Sequence, residues 1–139
     1  MSLRIEELKF GIVREVDGAS ISIKADKLNC KDEGTDYYVE VGAYINCGGL
    51  HGDTICIVSK VQIEEVEKKI VDTGTGNVTY EPYELINVTL AIVGTIEDGT
   101  FSRGISRLPI IRSDAYLLTA NQVNKIFKND GVVLNVIKN

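Results

Sequence analysis

Strict two-residue alternation, punctuated by Asp-Gly pairs, is what most restricts the folds open to this chain. Ala19, Ile21, Ile23 and Ala25 alternate with Ser20, Ser22 and Lys24, and Ile86, Val88, Leu90 and Ile92 alternate with Asn87, Thr89 and Ala91. A period of two puts every second side chain on one face, as a half-buried strand requires and a helix does not. Upstream of the first run, Phe10, Ile12 and Val16 lie on one side of a further strand that Arg14 interrupts. Only Asp17-Gly18 separates the two runs. That pair suits a two-residue hairpin turn whose central residues both take positive φ.

The remaining segments read the same way. Residues 26–36 are polar and contain glycine, which predicts a loop, and Tyr37–Val41 then reads as a strand. Gly42 allows a bend before Ala43–Ile45, and Cys47–Asp53 is a glycine-rich connection. Ile55, Ile57, Val61 and Ile63 alternate through the next strand. Residues 64–79 read as a strand end plus an exposed loop, because Asp72-Thr-Gly-Thr-Gly-Asn77 stops any regular element. The long strand from Ile86 ends near Ile96, and Ala115–Leu118 is a short strand. Thr119-Ala-Asn-Gln122 is a capping box with Leu118 and Val123 as its hydrophobic staple. It opens a helix over 120–128, with Lys125 and Lys128 near the negative end of the dipole. Short strands with tight turns and one C-terminal helix predict an all-β fold, a small closed barrel of six or so strands. Closure removes the exposed edges of an open sheet.

Bulk properties narrow the function. A chain of 139 residues with 44% apolar and 25% charged residues fits one globular domain. A net charge of −5 disfavours a free-standing nucleic-acid binder, which needs clustered cations, although Arg103, Arg107 and Arg112 are grouped. No apolar run approaches the roughly 20 residues of a membrane span. The N-terminus carries early acids and no signal core, so the expected location is cytoplasmic with no membrane partner. Cys30, Cys47 and Cys56 lack zinc-ligand spacing and His51 is the single histidine, which predicts reduced structural thiols and no metal site.

Catalytic constellations are not apparent. Gly52 is followed by Asp53, where a phosphate loop needs Lys and Ser or Thr. Asp72-Thr-Gly74 matches the aspartic-protease triplet but lies in a polar stretch, and Ser102 and Ser106 have no partner base. Tyr37, Tyr38, Tyr44, Tyr80, Tyr83 and Tyr116 are interspersed with Asp36, Glu40, Glu81 and Glu84, which favours core or rim packing over base stacking. No catalytic, cofactor-binding or metal residue is therefore expected. The loop after the long strand is different. Gly99 and Gly104 shape it, Pro109 fixes its exit, and Phe101, Arg103, Arg107 and Pro109 are the expected interface residues.

Val41-Gly-Ala-Tyr-Ile45, Ile92-Val-Gly-Thr-Ile-Glu-Asp-Gly99, Phe101-Ser-Arg-Gly104, Arg107-Leu-Pro109 and Ala115-Tyr-Leu-Leu-Thr119 together resemble the HAS barrel. This is the N-terminal β-barrel of HerA-type ATPases, similar to the crown barrel of ATP synthase. The resemblance covers Phe10 to Phe127 and is most specific over 92–119. It implies a non-catalytic oligomerisation and partner-docking barrel of a hexameric DNA-translocating ATPase, acting in DNA-end processing or anti-phage defence. The implied partners are five further copies, a NurA-like nuclease or other effector, and DNA through a motor that binds ATP and Mg. The chain has no Walker A or Walker B motif, so no ATPase residue carries over and it is not itself expected to be an enzyme. On this reading residues 1–8 are an N-terminal extension whose Met1-Ser-Leu3 looks like a cloning remnant, 9–130 form the barrel, and 131–139 are a strand or linker toward an ATPase domain. The alternative is a stand-alone OB-like nucleic-acid-binding barrel.

Overall fold

β1 (Lys9–Asp17) and β2 (Ser20–Ala25) form the expected hairpin, with its turn displaced by one residue. Asp17 pairs with Ser20, so the central residues are Gly18 and Ala19, and only Gly18 has positive φ, at 58°. Glycine alone at the first central position still gives the twist that paired strands favour. Ala19 leaves the alternation and is exposed. β1 departs further from its sequence pattern, because register shifts make Phe10 and Arg14 surplus residues. A bulge changes which face the following side chains occupy. Phe10 and Val13 are consequently fully buried, whereas Ile12, expected beside Phe10, is 39% exposed.

The chain continues through β3 (Asn29–Asp32), β4 (Thr35–Tyr38), β5 (Tyr44–Gly48), β6 (Asp53–Val71), β7 (Val78–Glu97), β8 (Thr100–Arg103), β9 (Asp114–Leu117) and α1 (Ala120–Lys128). The computed structural model describes residues 3–48, 52–105 and 108–128. Among them, antiparallel strands run in the order β2-β1-β9-β5-β6-β7, and β7 pairs back onto β2 to close a six-stranded barrel. β8 lies outside the ring as an extra strand on β7. His51, Ser106, Arg107 and the expected strand or linker at 131–139 lie outside the described residues. No helix among the described residues is long and apolar enough to cross a membrane.

The predicted loop at 26–36 holds β3 and the start of β4, a hairpin that turns at Glu33-Gly34 with φ of 49° and 80°, and the strand expected at Tyr37–Val41 runs instead from Thr35 to Tyr38. Asn29-Cys-Lys-Asp32 buries only Cys30, so it carried no apolar alternation to read. In β6 the expected alternation also shifts. Cys56 and Val58 point inward and Ile55 lies on the outer face, and the surplus residue Ser59 then turns Val61 inward.

Two apolar clusters result. The barrel interior is filled by Phe10, Ile21, Ile23, Ile45, Val88, Leu90 and their neighbours. A second cluster joins Ile55, Phe101 and Leu118 to Ile126 of α1, with Leu3 beside them. The stretch read as an extension is thus part of the fold from Leu3 onward. Leu8 is fully buried, and the Arg4 guanidinium contacts Asp53 at 2.8 Å. α1 starts as its sequence dictates: Gln122 N donates to Thr119 Oγ1 at 3.1 Å, and Thr119 N donates to Gln122 Oε1 at 2.8 Å. Such a cap is worth about 1 kcal/mol. It holds Phe127 edge-to-face against Tyr44 at 5.3 Å and Phe101 at 5.4 Å.

The largest correction concerns residues 64–79. β6 and β7 run on together, from Glu64 opposite Leu85 to Val71 opposite Val78, with no register break. At about 3.4 Å per residue this two-stranded ribbon extends about 27 Å past the barrel strands. Most of its side chains are exposed on both faces, so there was no hydrophobic period to read. Its tip is closed by Asp72, whose Oδ1 accepts from Gly74 N at 2.8 Å and whose carbonyl accepts from Gly76 N at 2.7 Å. The bond from Gly74 and those from Thr75 hold the Asp72 carboxyl below the usual carboxylate range. The Asp72-Thr-Gly74 triplet is a turn cap.

Candidate functional site

The segment from Gly104 to Ser113 crosses from β8 to β9 and is pinned at both ends. Gly104 N donates to Val93 O of β7 at 3.0 Å. At the far end Arg112 N donates to Val13 O at 2.7 Å, and Val13 N donates to Ser113 O at 2.8 Å. Before this anchor Ser113 N donates to Ile110 O at 3.0 Å, closing a turn in which Arg112 takes φ 78°. A left-handed conformation costs a residue with a Cβ about 1 kcal/mol, and such strain concentrates at working surfaces.

The expected interface residues divide on inspection. Phe101 is only 6% exposed, packed against α1, and Pro109 is buried. Phe101 lies on β8, which takes up the start of the expected loop, and both residues are withdrawn from solvent. Arg103 is exposed, with its guanidinium 5.4 Å from the Phe127 ring centre, which ties it to the helix by a cation–π contact. Arg107 lies outside the described residues. The residues the loop presents are others: Ile105 (52% exposed), Leu108 (47%), Ile110 (43%) and Ile111 (53%). Ile12, whose register partner on β9 is Asp114, lies near the loop's base. The signal for these was in the sequence. Four aliphatic residues in a Gly/Pro loop, with no strand period to bury them, have no core to enter.

Beside this surface a shallow cavity of ≈ 230 Å³ is walled by Arg4, Ile110, Arg112, Asp114 and Tyr116. Its rim brings Arg112 together with the aliphatic Ile110, a combination suited to a protein partner with an apolar centre and a charged margin. No group of three or more His, Cys, Asp or Glu that could hold an ion occurs among the described residues, which do not include His51. All three cysteines are free and buried. The Cys47 thiol is pushed well up by its hydrogen bond with Cys56 and by burial, which keeps it protonated. The tyrosines do not all pack as expected. Tyr116 is buried, but Tyr38, Tyr80 and Tyr83 are 55%, 61% and 47% exposed, the last two on the ribbon.

Fold and surface together define a closed six-stranded β-barrel with exposed aliphatic residues between β8 and β9. No protein-family model matches the chain, and no curated protein matches it either.

Proposed function

We propose that this chain is a non-catalytic oligomerisation and docking barrel, of the type that precedes the motor of HerA-like hexameric DNA-translocating ATPases. The observation that carries the reading is the loop between Gly104 and Ser113, hydrogen-bonded to β7 and β1 at its two ends, whose described residues Ile105, Leu108, Ile110 and Ile111 expose four aliphatic side chains. Exposed apolar clusters with a polar rim mark protein–protein contact. The order of motifs over 92–119 supports the HerA-like setting, in which the neighbours are further copies in a ring and a NurA-like nuclease or other effector. ATP, Mg and DNA belong to the motor. A nucleic-acid-binding barrel has less support, because exposed Tyr80 and Tyr83 lie next to Glu81 and Glu84, whose charge repels phosphate.

Two measurements test this. The coding sequence after Asn139 is expected to encode a Gly-x-x-x-x-Gly-Lys-Ser/Thr motif followed by an acidic Walker B strand; a frame without them refutes the motor setting. In the intact protein, Leu108→Asp with Ile111→Asp is expected to weaken assembly at least tenfold by native mass spectrometry, roughly what losing central interface residues does. Unchanged assembly refutes the docking role of the loop.

A further inference from the structure

We propose that the free edge of β6 in the ribbon, residues 65–71, pairs antiparallel with the same edge of a second copy of this chain, joining two ribbons into a four-stranded sheet. Backbone direction selects that edge. Asp72 N donates to Asn77 O at 2.8 Å, so this pair is hydrogen-bonded across the ribbon. Bonded and non-bonded pairs alternate along an antiparallel ladder. Val71↔Val78, Lys69↔Tyr80, Glu67↔Pro82 and Glu65↔Glu84 are then the non-bonded pairs, whose N–H and C=O groups point outward. On β7 the outward row is broken at Pro82, which has no N–H. On β6 it is complete, and no strand among the described residues covers it. An unbroken edge of this kind is a template for strand addition.

Charge then selects a second copy as the occupant, and one register. Pairing centred on Lys68 sets Glu67 opposite Lys69 of the second copy, and Lys69 opposite its Glu67. Moving by one permitted step sets Lys69 on Lys69 with no opposite-charge pair to compensate, or Glu67 on Glu67 beside two Glu65–Lys69 pairs, and like charges directly opposite are destabilising. Glu67 has only the uncharged Pro82 across its own ribbon to offset that repulsion, whereas the one like-charge pair of the chosen register, Lys68 on Lys68, has a Glu81 across each ribbon. The chosen register brings Lys69 of the second copy diagonally beside Glu65, which within its own ribbon faces Glu84. On the other face Val66 meets Ile70 of the second copy and widens the apolar stripe that Val66 forms with Tyr83. Lys68 meets its counterpart at the two-fold axis, each with Glu81 opposite on its own ribbon. A lone two-stranded ribbon is marginal in water, so added strands stabilise it.

The test is sedimentation equilibrium of the whole chain from micromolar to millimolar concentration, at low and high salt. A reversible dimer that weakens with salt is expected. Glu67→Lys and Lys69→Glu should each raise its Kd roughly tenfold, since each change turns two attractive pairs repulsive. The double variant should restore the wild-type Kd, and mixing the two single variants should give a heterodimer of similar strength. A monomeric wild type, or single variants that dimerise as wild type does, overturns the proposal. The Leu108→Asp, Ile111→Asp variant should dimerise unchanged here, which keeps this outcome separate from the fate of the docking loop.

Discussion

Arg112 shows how a single residue can trade stability for recognition. Its φ of 78° is one that glycine adopts without penalty, and nothing in the turn requires a side chain there for folding. Arg112→Gly is therefore expected to stabilise the chain by about 0.5 kcal/mol, after allowing for the extra freedom glycine gains when unfolded. Thermal melts would read this as a slightly higher Tm, while association through the loop falls. A lower Tm would mean that the guanidinium is part of the fold. At this scale the sequence was partly legible. It marked the β8–β9 loop as special and placed Arg112 within its arginine group, but it favoured Phe101 and Pro109, which are buried. Residue type does not tell the inner side of a loop from its outer side. The path of the chain does, and that path depends on hydrogen bonds to Val93 and Val13, far off in sequence.

At the scale of elements, the ribbon is the part the barrel can spare. Both of its faces are largely in solvent, and neither apolar cluster includes residues 64–85. Replacing residues 65–84 by Asn-Gly, which joins Glu64 to Leu85 across a hydrogen-bonded pair, should leave the barrel folded. By calorimetry Tm should shift by less than about 4 °C, the change that ~1 kcal/mol produces in a chain of this size. Loss of a cooperative transition would show that the ribbon supports the barrel. Strands with one buried face, such as β2 and the barrel part of β7, were readable from alternation alone. The ribbon and the β3–β4 hairpin were not, because a strand that buries little carries no period of two. The bulges at Phe10, Arg14 and Ser59 were hidden for another reason: an inserted residue shifts the facing of its neighbours without changing local composition. The helix start was fully legible, since its capping box is local.

For the whole molecule, closure rests on pairs such as Ile21↔Leu90, which join distant parts of the sequence. Opening the barrel anywhere along that seam exposes the interior. Cys47 and Cys56 lie there, and the raised pKa of Cys47 suppresses the thiolate that reacts. Labelling of both with a disulfide reagent should therefore keep pace with global unfolding measured in denaturant. Raising the pH from 7 to 9 should lower the denaturant midpoint, because the Cys47 thiol stays protonated in the fold and ionises once the chain unfolds. Fast reaction of Cys47 alone would locate a gap between β5 and β6. The six-stranded ring itself was foreseeable from the number of strands and the need to hide their edges. Its β2–β7 seam was not, because pairing partners that far apart leave no local trace. The strands that complete this ring are also those that leave it: β6 and β7 pass from wall to ribbon with no break in register beyond Lys60↔Thr89. The ribbon is thus a lever built from two staves of the barrel. Whatever grips its tip gains a long moment arm on the wall, and so fixes the orientation of the entire domain without touching its body.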